Sequence, residues 1–103
     1  MRYKKKLVVI EAVRFIDYVS DKIQDHFDEY PDWLNEAFKE HTIRLIFADT
    51  KHLTIESFAI ATKEGEMTIT KGNWLIQEVK GELYPCNDEI FRMTYEEVNK
   101  NAE

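Results

Sequence analysis

Cys86 is the residue best able to do chemistry in this 103-residue chain, and it is the only cysteine. A cysteine nucleophile needs a base, usually histidine, within hydrogen-bond reach. His26, His41 and His52 are available, but they fall in or beside a helical pattern or at a hairpin turn, and none sits in a nucleophile-like motif. The expected role of Cys86 is therefore a half-buried turn residue packed beside Pro85. Glu82, Asp88 and Glu89 could offer oxygen ligands to a hard cation. Acids grouped in a turn are more often simply solvated, and the chain lacks paired histidines at i, i+4, CxxC and HExxH. Its glycines, Gly65, Gly72 and Gly81, have the spacing of hairpin turns rather than of a phosphate-binding loop. No cofactor or metal site is read from the sequence, and no catalytic residue is assigned.

A second pattern concerns charge. Asp21, Asp25, Asp28, Asp32, Glu36 and Glu40 recur at steps of three or four. On two roughly collinear helices they would line one face. Such a face either keeps a small protein in solution or docks on a basic partner, even in competition with nucleic acid for a basic groove. Asp21, Asp25, Asp32 and Glu36 are the candidate interaction residues. The net charge of −6 argues against direct nucleic-acid binding, which is dominated by phosphate contacts. Lys4-Lys5-Lys6 is too short a cluster to reverse that. Leu7 to Ile10 is too short for a signal-peptide core, and no stretch has the length of a membrane span. One cysteine makes no internal disulfide. A single soluble, cytoplasmic domain over residues 1–103 is expected.

These residues must be positioned by an α+β fold. Leu7 to Phe15 carries apolar residues on both faces, which predicts a strand buried inside a sheet. Ser20 to Glu40 reads as a helical segment broken at Pro31, with Ser20 as a cap, Ile23 and Phe27 as i, i+4 partners, and Trp33, Leu34, Ala37 and Phe38 as a second apolar stripe. Five or six short antiparallel strands follow in a curled sheet or small partial barrel: Thr42 to Ala48, Leu53 to Thr62 with a bulge near Ser57, Glu66 to Thr70, Trp74 to Val79, Glu82 to Tyr84, and finally Thr94 to Val98. Pro85 should end the fifth. Asn87 should cap a single helical turn through Phe91. Trp33, Phe38, Trp74, Phe91 and Tyr95 are assigned to the core, with Trp74 a buried anchor.

Several segments resemble a family of small uncharacterised proteins of bacteriophages and prophages of Gram-positive bacteria. They are Lys5 to Ala12, Pro31-Asp32-Trp33-Leu34, Gly72-Asn73-Trp74-Leu75-Ile76, Gly81-Glu82-Leu83-Tyr84-Pro85-Cys86, Ile90-Phe91 and Thr94-Tyr95-Glu96. Gly72, Trp74, Gly81, Tyr84, Pro85 and Cys86 make up its turn signature. Asn73 stands where the family usually has Asp, and Asn87 where it often has Lys. The resemblance implies a phage or prophage setting and no particular activity. The expected function is that of a non-enzymatic accessory protein acting on a host or phage protein, inhibiting or redirecting a host factor, with no membrane partner and homo-oligomerisation left open. The alternative is a small-ligand or catalytic module centred on Tyr84, Cys86 and Asp88; a third reading is a virion-associated component.

Overall fold

Short turns dictate antiparallel neighbours; the turns at Gly65 and Gly81 obey that rule, while the turn at Gly72, expected to be a hairpin, carries the chain from one sheet to the other. A computed structural model describes residues 1–3, 8–16, 26–49, 51 and 55–98. Along the chain lie β1 (Glu11–Arg14), α1 (Asp32–Lys39), β2 (Ile43–Phe47), β3 (Ile55–Thr62), β4 (Gly65–Ile69), β5 (Trp74–Gln77), β6 (Leu83–Cys86) and α2 (Asp88–Thr94). The fold is α+β. Its strands form two three-stranded antiparallel sheets, ordered β1-β5-β6 and β2-β3-β4, and do not close into a barrel.

Period-two alternation decides which rows meet inside. In the first sheet, Val13 opposes Leu75, and Gln77 opposes Leu83; Val13, Leu75 and Leu83 enter the core. In the second, Leu45–Phe58–Ile69 and Ile43–Ile60–Met67 lie across the strands, and Phe58, Ile69, Ile43 and Ile60 enter the same core. Phe58 is fully buried and meets Phe15 and Phe38 edge-on, at centroid distances of 5.1 and 5.6 Å. Helix α1 closes this core with Leu34 and Ala37.

The helix ends where local chemistry says it must. Pro31 stands just before its first residue, where a missing N–H costs nothing. At the other end the Thr42 N–H bonds the Ala37 carbonyl and the His41 N–H bonds the Phe38 carbonyl, a Schellman closure. His41 occupies the left-handed position, at φ 61°.

Four expectations are corrected. The N-terminal strand is not interior: among the described residues β1 is an edge strand that pairs in its sheet with β5 alone, and Val8 and Val9 are exposed. Phe27 is not on a helix. It forms an isolated antiparallel bridge with Phe15, and the Asp28 N–H bonds the Arg14 carbonyl, so residues 26–28 run along the outer edge of β1. Ser20 and Ile23 lie outside the described residues. Pro85 does not end its strand but sits within β6. Glu78 and Glu82 are hydrogen-bonded across the hairpin, so alternation turns Pro85's missing donor to the free edge. Finally, Thr94 to Val98 is not a strand; α2 runs to Thr94, and no regular element follows through Val98. The expected irregularity beside Ser57 is present: Ile46 pairs with Ser57 and Phe47 with Ile55, leaving Glu56 as the extra residue.

Candidate functional site

Of the turn signature, Trp74, Tyr84 and Cys86 lie on the outer face of the first sheet. Arg14, Trp74 and Cys86 share one row, and Ala12, Ile76 and Tyr84 the next. Helix α2 and the residue after it cover this face. Two asparagines fix where that helix begins. The Asn87 side chain accepts hydrogen bonds from the Glu89 and Ile90 N–H groups, and Asn73 Oδ1 accepts the Asp88 N–H at 3.1 Å. Asn73 belongs to the turn before β5, so the cap also ties the helix to the sheet. Gly72 makes that turn with φ 92°, and its N–H bonds the Phe15 carbonyl at 2.7 Å.

Trp74 is half-buried rather than the fully buried anchor expected from its apolar run. It faces α2. Its ring stacks on Phe91 at 4.0 Å and 8°, and its indole N–H donates to Asp88 Oδ1 at 2.8 Å. Arg14 completes the cluster. Its guanidinium lies over the Trp74 ring at 5.7 Å, donates through Nε to the Gly72 carbonyl at 2.9 Å, and reaches Asp88 at 3.5 Å. Arg92 donates to both Asp88 oxygens at 3.0 Å. The Asp88 carboxyl is held below its usual value, first by the indole donor and then by the two arginines. The sequence reading missed Arg14; its one signal was a lone cation in a strand whose only other charge is Glu11.

The chemistry of the turn is muted by this packing. Cys86 is half-buried, its Sγ lies 3.6 Å from the Asn87 carbonyl, and burial pushes the thiol pKa up. A raised pKa keeps it protonated and poorly nucleophilic at neutral pH. His26 is buried against Phe15 and Phe58, His41 is exposed at the end of α1, and His52 lies outside the described residues. The Tyr84 hydroxyl lies 3.4 Å from that of Tyr95; burial, then that contact, raises its pKa. Pro85 projects to the opposite side, in the row of Val13 and Leu75, and Gly81 turns the β5–β6 hairpin at φ 89°. The three acids considered as cation ligands are not gathered. Glu82 pairs with Lys63 at 2.7 Å, Asp88 is taken up by Trp74 and the arginines, and Glu89 is exposed in the first turn of α2. Among the described residues, no group of three His, Cys, Asp or Glu side chains is placed to hold a metal ion.

The acidic pattern is partly realised. Asp32 and Glu36 on α1 and Glu40 at its C-cap are exposed at successive four-residue steps, with Leu34 and Ala37 buried on the other side. Lys39 approaches Glu36 at 3.8 Å. Asp28 leaves the row: its carboxylate accepts the Arg14 backbone N–H at 2.8 Å. Asp21 and Asp25 lie outside the described residues. Among the described residues, no helix is long and apolar enough to cross a membrane.

These features define a small α+β domain with an aromatic-latched C-terminal helix and an acidic α1. No family model, curated protein or solved structure matches the chain.

Proposed function

We propose that this chain is a non-enzymatic accessory protein, of phage or prophage setting, that works in the bacterial cytoplasm by contact with a basic surface of a host or phage protein. The observation that carries the reading is the exposed carboxylate row Asp32, Glu36 and Glu40, set on a helix whose other side is fixed in the core. A rigidly mounted row of like charge is suited to steering a partner of opposite charge. The phage setting rests on the resemblance of Gly81 to Cys86 and its flanking segments. Inhibiting or redirecting a host factor is the mode this contact would serve. The turn offers less to a catalytic reading, because its thiol is protonated and its carboxylate is already engaged.

The experiment is capture of a stoichiometric partner from host lysate, followed by association kinetics with an Asp32→Lys/Glu36→Lys variant. Slower association at low salt, converging with the parent at high salt, is expected. A variant that associates as fast as the parent at low salt would remove α1 from the interface.

A further inference from the structure

Between the β3–β4 turn and the β5–β6 hairpin, the surface forms an open groove of about 560 Å³. Ala61, Met67, Leu83 and Tyr84 give it an apolar lining, while Lys63, Glu64, Glu78 and Glu82 supply its charge. Three carboxylates and one ammonium thus line it. That ammonium is already in place: Lys63 Nζ, from one hairpin, lies 2.7 Å from Glu82 Oε1, from the other. Glu82 raises the Lys63 pKa, and Glu78 adds to it. Glu64 and Glu78 are exposed and form no ion pair among the described residues. The groove therefore displays, with one of its own side chains, the kind of group it can hold, and it keeps carboxylates in excess of that group.

We propose that this groove receives a lysine or arginine side chain from an extended segment of a partner protein, with Lys63 as the built-in competitor for Glu82. The incoming cation pairs with Glu78 and displaces Lys63 from Glu82. Its aliphatic stem lies along Met67 and Tyr84, as long basic side chains do on apolar surface. The proposal rests on the protein-contact reading but uses carboxylates other than those of α1.

Titration with a labelled acetyl-Gly-Arg-Gly-Lys-Gly-amide peptide, followed by NMR and fluorescence anisotropy, tests it. The expected result is saturable binding with shifts at Ala61 to Met67 and Glu78 to Tyr84, and none with the Gly-Glu-Gly-Glu-Gly counterpart. Lys63→Met should tighten binding about two- to fivefold at low salt, the worth of one exposed ion pair. Glu78→Gln/Glu82→Gln should weaken it by a similar factor. Lys80→Met, which removes the same charge outside the groove lining, should have the smaller effect. Equal gains from Lys63→Met and Lys80→Met would overturn the proposal, since they would mean a diffuse field rather than competition. So would groove shifts that appear on concentrating the chain alone, equal binding of the acidic peptide, or no saturable binding. A captured host partner indifferent to the groove variants but sensitive to Asp32→Lys/Glu36→Lys would sink the groove and leave the protein-contact reading standing. Peptide binding in the groove without any host partner would do the reverse.

Discussion

Phe91→Ala tests whether an aromatic stack holds α2 on the sheet. None of the seven residues of this helix is fully buried. Its hold on the sheet therefore depends on the Phe91–Trp74 stack, on the Phe91–Tyr95 contact at 5.2 Å, and on the polar contacts of Asp88. Complete burial of a phenylalanine contributes at most about 3 kcal/mol, so Phe91, mostly but not wholly buried, contributes about 2. The stacked geometry adds about 1 kcal/mol. Truncation should then cost about 3 kcal/mol, unless α2 detaches first and the loss stops at its docking energy. Urea unfolding followed by far-UV circular dichroism measures the loss. Native-state amide exchange tells the two outcomes apart. The Phe91 N–H bonds the Asn87 carbonyl and the Tyr95 N–H the Phe91 carbonyl, so both amides should lose protection while Phe58 in β3 keeps its own. A loss below about 0.5 kcal/mol, with Tyr95 exchange unchanged, would refute the idea that stacking anchors this helix.

Other outcomes are expected from the same geometry. His41→Gly should stabilise the fold by about 0.5–1 kcal/mol, because glycine adopts the left-handed position without steric cost; a melting temperature no higher than the parent's would contradict this. Cys86 should react slowly with iodoacetamide at pH 7, and its rate should rise at higher pH than an ordinary thiol's, since burial raises its pKa; fast alkylation at neutral pH would reopen the catalytic reading. Asp88 has a depressed folded-state pKa, so its contribution is present above the ordinary carboxylate range and is lost as pH falls through the lower folded value. Asp88→Asn should therefore flatten the acid limb of the stability curve, and an unchanged limb would show that the carboxylate is not the coupled group. Asp32→Lys/Glu36→Lys should leave unfolding free energy within about 0.5 kcal/mol of the parent, as for other exposed substitutions.

What could be read in advance was set by local geometry. Gly65 and Gly81 marked hairpin turns, and Gly72 the turn that carries the chain from β4 in one sheet to β5 in the other, because each holds a positive φ. Asn87 was legible as a cap because its oxygen reaches N–H groups only two and three residues on. Long-range facts were hidden. Leu7 to Phe15 looks interior from its composition, yet β1 lies at an edge, its outward Arg14 groups covered by residues 26–28. Tyr95 looks β-forming, but Phe91 and Tyr95 at i, i+4 docking on the sheet, with the Asp88–Arg92 pair, extend the helix past Phe91. Trp74 heads an apolar run, and only the register shows it on the outer face beneath α2. The turn signature was therefore visible as residues, but not as a latch.

Pairing Val13 with Leu75 has a consequence for how the chain comes together. Among the described residues the first strand has its ladder partner far along the polypeptide, so it waits while β2, β3 and β4 pair with their neighbours in sequence. During synthesis, β1 stands without this partner until β5 has left the ribosome. Closing so long a loop adds entropy cost and slows folding relative to a chain of local hairpins. The β2-β3-β4 sheet is then the natural seed, and the β1-β5-β6 sheet with its helix is the last unit to lock.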